Sequence, residues 1–466
     1  MLIVKGGKDM TDRRDRIYIL IITTLSSFMT PFMSSSINLA LPSIGKEFSL
    51  NAVVLGWIAT SFLLATAALL LPAGRLADIY GRTKVFKGGI AIYTAASLFC
   101  GLSFSGEVLI ISRVLQGIGG AMLFSTSTAI LVSFFPFEER GKVLGINTAA
   151  VYTGLSSGPF IGGLITQHFG WRYIFFINVL FGLLSLIIAY RKLKFEWAEA
   201  KGEKFDFIGS IAYGVTLIII MYGFSILPNK YGFYLIILGV LGFYIFSRFE
   251  LKVSSPVFNM SLFTTNKAFA FSNLAALINY SATFAVGFLL SFYLQYIKGF
   301  NPQTAGIILV SQPVMMAVFS PISGRISDKT EPRIVASTGM IITTIGLFLL
   351  IFLKANTSVV FIITSLIFLG FGFALFSSPN TNAVLSSVDK KFLGVAASTL
   401  STMRITGQMF SMGLALLIIS IFIGKSKIIP ENHPALLNGI GIAFVLFTIL
   451  CFAGIFASLA RGKIRD

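Results

Sequence analysis

Arg113 and Arg404 each fall inside a long apolar run. A charge at the centre of a membrane helix costs about 2.5–3.5 kcal/mol on insertion scales, so such a residue usually faces a cavity or a partner. Arg113 lies about five residues, or ~8 Å of helix, from one end of its run, close enough to snorkel. Arg404 sits deeper, and Ser401, Gln408 and Ser411 share its helical face. Asn38, Asn279, Gln295, Asn380 and Asn382 punctuate other apolar runs, and uncovered amides are costly in lipid. Beside 47 phenylalanines, most of them lipid-facing filler, these residues predict a mainly apolar cavity with few polar anchors. Such a cavity suits amphiphilic small molecules.

The carboxylates are informative by their placement. None of the 18 acids lies in the middle of a predicted span, although a buried carboxylate is the natural proton carrier and counter-ion for a lipophilic cation. A neutral or anionic substrate is therefore expected, with any proton coupling running through Asp78 or the substrate itself. Asp78 stands in Gly74-Arg75-Leu76-Ala77-Asp78-Ile79-Tyr80-Gly81-Arg82-Thr83-Lys84. The glycines permit a tight turn between two helices. Asp78 among Arg75, Arg82 and Lys84 makes a charge cluster able to form in one conformation and break in another; the alternative is a solvated loop whose charges only fix orientation. Gly324-Arg325-Ile326-Ser327-Asp328 echoes the string 250 residues later. Gly154, Gly158 and Gly162, with Pro159 and Gly163 beside them, recur every four residues, which predicts a smooth seam for a close neighbouring helix and a bend at the proline.

Other chemistry is excluded. Cys100 and Cys451 are isolated in apolar runs, His168 and His433 are far apart, and neither a disulfide framework nor a metal site is expected. No Gly-x-x-x-x-Gly-Lys-Ser/Thr loop occurs, so ATP drive within the chain is not expected, nor is any cofactor.

The elements that must position these residues follow from composition. Of 466 residues 55% are hydrophobic and only 12% charged, with a mean hydropathy of +0.87, whereas about a quarter of a soluble domain is charged. Runs near 17–41, 54–72, 85–102, 108–135, 143–165, 173–190, 207–226, 231–246, 268–294, 304–326, 334–353, 359–385, 396–423 and 436–459 predict fourteen membrane helices. The first run is too long for a signal peptide and lacks a small-residue cleavage site. The net charge of +18 would suggest nucleic acid in a soluble chain, but here it sorts by loop. With both ends cytoplasmic, 27 Lys and Arg fall in cytoplasmic loops and seven in the opposite ones, as the positive-inside rule requires; no nucleic-acid partner is expected. The repeat of the Gly-Arg-x-x-Asp string gives two pseudo-symmetric halves. The expected organisation is a cytoplasmic N-terminus 1–16, a six-helix bundle 17–190, a linker 191–206, two extra helices 207–246, a second linker 247–267, a six-helix bundle 268–459 and a tail 460–466.

At this point the chain resembles the major facilitator superfamily, and within it the fourteen-helix drug:proton antiporter branch. The loop 74–84 carries the superfamily's pattern. Arg113-Val114-Leu115-Gln116-Gly117-Ile118-Gly119-Gly120 resembles its fourth-helix motif, and Gly154 to Gly163 its fifth-helix antiporter motif. Asn38-Leu39-Ala40-Leu41-Pro42, Trp171-Arg172-Tyr173-Ile174-Phe175, Phe205-Asp206-Phe207-Ile208-Gly209, Tyr293-Leu294-Gln295 and the segment 394–407 are similar to the branch. The resemblance implies an all-α membrane fold working by alternating access, gating at the 74–82 and 324–328 loops, coupling through Gln116 and Arg113, a cavity seal at helix five, and proton-driven export. Relatives exporting cationic drugs carry an acid where this chain has Met33, which puts cation export in doubt. The expectation is a monomeric plasma-membrane exporter of drug-like or amphiphilic molecules. The alternatives are an ion-coupled carrier of an endogenous neutral or anionic metabolite and, more remotely, a non-transporting receptor or scaffold.

Overall fold

The computed structural model describes residues 13–462 apart from 136, 195, 254–256, 259, 390–392 and 425. The first twelve residues of the expected N-terminal segment and the last four of the tail lie outside the described residues, as do the loop charges Lys390 and Lys391.

The apolar runs fold as helices because a helix satisfies every internal backbone group without water. The first bundle comprises α1 (Arg13–Glu47), α2 (Ala52–Tyr80), α3 (Arg82–Gly101), α4 (Gly106–Phe134), α5 (Phe137–His168) and α6 (Arg172–Lys192). A hairpin of α7 (Phe207–Ile226) and α8 (Lys230–Glu250) follows, then the short α9 (Ser261–Thr265). The second bundle holds α10 (Lys267–Thr283), α11 (Val286–Phe292), α12 (Pro302–Leu309), α13 (Ser311–Lys329), α14 (Pro332–Leu350), α15 (Val359–Ser386), α16 (Leu393–Phe422) and α17 (His433–Ala460). Side chains of Asn51, Ser105, Asn301 and Ser358 cap their helices by accepting a free N–H of the first turn.

Counting α10–α11 and α12–α13 as single spans, twelve helical segments are long and apolar enough to cross a membrane. With α3 and α5, both of spanning length and packed inside the first bundle, the rods number fourteen among the described residues. The packing repeats: α1 on α5, α2 and α3 on α4, and α3 on α6 are matched by α10 on α16, α13 and α14 on α15, and α14 on α17. Most side chains of α8 are exposed, Phe246 and Glu250 being buried, and α7 docks the hairpin on α2 and α16.

Two predicted spans are interrupted. The run 268–294 breaks between α10 and α11, where Ser411 Oγ accepts the Ala285 N–H at 3.0 Å, and ends in a π turn at Tyr293–Ile297. The run 304–326 breaks at Val310, because Pro313 cannot donate to the carbonyl four residues back. Helix α8 continues to Glu250, four residues beyond the predicted end.

Candidate functional site

Helix α4 carries Arg113 into the centre of the first bundle. Its Nε donates to the Ile58 carbonyl of α2 at 3.1 Å and Nη1 to Gln116 Oε1 at 2.5 Å, while the guanidinium lies 4.6 Å over the Phe62 ring. Gln116 in turn donates to Ser97 Oγ of α3 at 2.8 Å. Arg113 is 1% exposed, so it does not snorkel: it is held by a carbonyl of α2 and by Gln116 of its own helix, which carries the link on to α3. No carboxylate pairs with it among the described residues. It lines a small void with Ser34, Asn38, Phe284 and Met412, where the two bundles meet, with room for about one water. Met33 does not line that void; it is buried against α6, where Asn178 Nδ2 approaches its sulfur at 3.3 Å. The identity of residue 33 therefore bears on packing within the first bundle.

Around Arg404 the polar groups are looser. Its Nη2 donates to Thr381 Oγ1 at 2.5 Å, its guanidinium lies 5.8 Å from the Tyr280 ring, and its buried Nε meets no acceptor among the described residues. Tyr280 packs edge-on to Phe373, and Tyr152 of α5 donates to Ser377 Oγ of α15 at 3.3 Å, joining the bundles. Both amide atoms of the buried Asn279 are unpartnered among the described residues. Gln408 is half-buried on the Arg404 face. Arg404, Gln408 and Asn279 thus remain cavity candidates, joined by Tyr152 and Tyr280, which sequence reasoning missed because aromatic residues are too common here to stand out.

Three of the predicted cavity amides serve elsewhere. Asn380 donates to the Ser272 carbonyl at 3.1 Å and ties α15 to α10. Asn382 donates to Ser327 Oγ at 2.7 Å and to Asp328 Oδ1 at 3.2 Å. Gln295 donates to the Leu39 carbonyl at 3.1 Å, next to a bond from Ser291 Oγ to the Asn38 carbonyl at 2.6 Å. Each amide nitrogen donates to backbone or a neighbouring side chain, while the buried Asn380 Oδ1 meets no partner among the described residues.

That last pair belongs to a closure of the bundles at the far face, opposite the α2–α3 loop. Within the first bundle the glycine seam of α5 is fully used. A Cβ at Gly154 would come within 2.5 Å of the Phe28 carbonyl, and one at Gly158 or Gly162 would strike Ser35 or Ser36 of α1; Ser36 Oγ donates to the Gly158 carbonyl at 3.0 Å. One helical face over, Gly163 abuts the Pro302 carbonyl, and the Pro159 carbonyl abuts Gly306 of α12. His168 with Gln303, and Ala52 N–H with the Ser426 carbonyl at 3.2 Å, complete the closure.

At the loop face the α2–α3 turn is partly covered. Gly81 has φ 120, a conformation that only glycine adopts freely, and the linker after α6 lies against it. Arg82, buried, donates to Asp78 Oδ1 at 2.8 Å and to Glu199 Oε2 at 2.8 Å. Arg75 binds Glu203 at 2.5 Å, not Asp78, and Lys84 is exposed. The Arg82 N–H donates to the Trp197 carbonyl and the Ala200 N–H to the Asp78 carbonyl. So the cluster is completed by Glu199 and Glu203, more than a hundred residues away; no spacing signal could have paired them. The echo in the second half is built differently: Asp328 is held by Asn382, and Arg325 is exposed. Gly74 and Gly324 face Ser125 and Ser378 respectively.

The comparisons with known proteins agree with this architecture. The family model described as Major Facilitator Superfamily matches residues 23–274 and again 272–464. The chain is 30% identical over 441 residues to the riboflavin transporter RibZ of Clostridioides difficile (strain 630), covering 94% of this chain and 95% of that one. It is 29% identical to the tetracenomycin C resistance and export protein of Streptomyces glaucescens, over 86% of this chain and 76% of that one. In fold it is similar to a bacterial homologue of the human lysosomal transporter Spinster, with a TM-score of 0.67, 16% identity and coverage of 97% and 98%. The chain belongs to the Major Facilitator Superfamily and is a multi-pass membrane transporter, not an enzyme.

Proposed function

We propose that this member of the superfamily is a proton-coupled exporter of neutral or anionic amphiphilic small molecules, acting as a monomer in the plasma membrane with both termini cytoplasmic. The 27-to-7 split of basic residues supports that orientation, which makes the closed far face extracellular. The observation that carries the substrate class is Arg113: a buried guanidinium with no carboxylate partner among the described residues, lining the void between the bundles. Its field favours a carboxylate, phenolate or carbonyl-rich group and repels a lipophilic cation. Arg404, whose Nε meets no acceptor among the described residues, extends the same preference toward the cytoplasmic side. The glycine seam of α5 supports export by resemblance, and the clasp of Asp78, Arg82 and Glu199 is the candidate gate.

A second reading is favoured by the likeness to a riboflavin transporter: a carrier of one endogenous metabolite of that neutral, polar-aromatic kind. Purified protein in liposomes with an imposed pH gradient separates the readings. The expected result is gradient-driven flux of an anionic dye, abolished by a protonophore, with ethidium not transported. Flux of riboflavin alone favours the second reading. Flux of ethidium overturns the substrate class, and no flux of either dye under a pH gradient overturns proton-coupled export of such molecules.

A further inference from the structure

Two carboxyl groups meet at the foot of the α7–α8 hairpin, away from the bundle interface. Asp206 caps α7, its Oδ1 accepting the Gly209 N–H at 2.8 Å. Glu250 is the last residue of α8 and only 2% exposed, and its Oε2 accepts the Phe258 N–H at 3.2 Å. The remaining oxygens, Asp206 Oδ2 and Glu250 Oε1, are buried and meet no donor among the described residues. They converge over Gly209, where a Cβ would strike both.

Two bare carboxylates cannot share such a place at neutral pH. Each would pay the full penalty of an unsatisfied buried acceptor, and like charges this close do not both ionise. No base relieves them among the described residues. On α8 and just beyond it Arg248 and Lys252 are exposed, on the preceding linker Lys204 is exposed, Arg75 of α2 is bound to Glu203, and Arg404 of α16 is bound to Thr381.

We propose that Asp206 and Glu250 form a proton-binding site that holds one shared proton between Oδ2 and Oε1. The helix ends divide the roles: a carboxylate is favoured at the N-terminus of α7 and disfavoured at the C-terminus of α8, so Glu250 carries the O–H and Asp206 accepts it. Binding takes the proton from water at the loop face and release returns it there. A metal ion fits less well, because two oxygens fall short of an alkali or alkaline-earth shell. No cluster of three or more metal-binding side chains exists among the described residues. Occupied, the site ties the start of α7, the end of α8 and the segment at Phe258 into one unit; emptied, two charges push that unit apart. This assignment is independent of the substrate reading.

Infrared difference spectra and melting curves of the purified full-length protein test it. The wild type is expected to show a protonated-carboxyl band at neutral pH that vanishes in alkaline buffer, and to melt lower as that band is lost. Glu250→Gln, whose amide supplies a permanent donor to Asp206, is expected to lack the band and to keep its melting temperature across the same range. Asp206→Asn serves the same purpose if the first variant does not fold, and the wild-type band decides alone if neither does. Absence of a titrating carboxyl band, or a Glu250→Gln melting profile falling in parallel with the wild type, overturns the proposal. So does a sodium-specific gain in wild-type stability relative to choline, which would make this a metal-cation site.

Discussion

The guanidinium of Arg113 is used as a fork: Nε reaches a carbonyl on α2 and Nη1 reaches Gln116 on its own helix. Lysine offers a point charge on a flexible stem and cannot make both bonds from one plane. Arg113→Lys is therefore expected to lower flux about tenfold or more, equivalent to at least ~1.4 kcal/mol, while the protein still folds and migrates as wild type by size exclusion. Gln116→Leu leaves the charge but removes its link to Ser97, and a smaller loss of flux is expected in the same assay. Arg113 was legible in the sequence because a lone charge in an apolar run must be accounted for. Asn380 and Asn382 were legible as amides in apolar surroundings but not in their roles, because the groups they donate to, the Ser272 carbonyl and Ser327 Oγ, lie 108 and 55 residues away.

Helix α5 shows what the seam is for. With the α1 backbone against Gly154 and α1 serines against Gly158 and Gly162, a larger side chain must separate the two helices, and overpacking of this kind costs typically 1–3 kcal/mol. Gly158→Leu is expected to lower the melting temperature in detergent and to abolish transport. Gly145→Ala on the same helix, where nothing lies within 4 Å, is expected to change neither. The four-residue spacing made this element readable from sequence. The linker 191–206 was not readable, since a short polar stretch carries no periodicity to show what it covers. Its contribution can be measured by a double-mutant cycle on Arg82 and Glu199. The carboxylate is 58% exposed, so a coupling of only about 0.5–1 kcal/mol is expected, together with partial rescue of flux when the charges are exchanged.

For the whole molecule, alternating access requires the far-face closure to open. The Ala52 N–H and the Ser426 carbonyl lie 3.2 Å apart across the two bundles, and both native cysteines are buried. The pair Ala52→Cys with Ser426→Cys is expected to cross-link under mild oxidation, to stop flux, and to regain it on reduction; full flux in the cross-linked protein would remove alternating access at this face. The pseudo-symmetric architecture was largely visible in the repeated Gly-Arg-x-x-Asp string, because each half needs its own tight turn at the same point. The broken spans were not visible, since the fracture at Ala285 is held by Ser411 on another helix.

The loop face of the first half is clasped by guanidinium–carboxylate pairs that include exposed acids, whereas the seam where the two bundles meet at the far face is made of carbonyls, amides and apposed glycines. Dissolved ions screen the first kind of contact over about 8 Å at physiological strength and leave the second almost untouched. The Arg172–Glu47 pair at the far end of the same half is partly exposed and open to that screening too, so added salt loosens the first half at both of its ends while the seam between the halves keeps its grip.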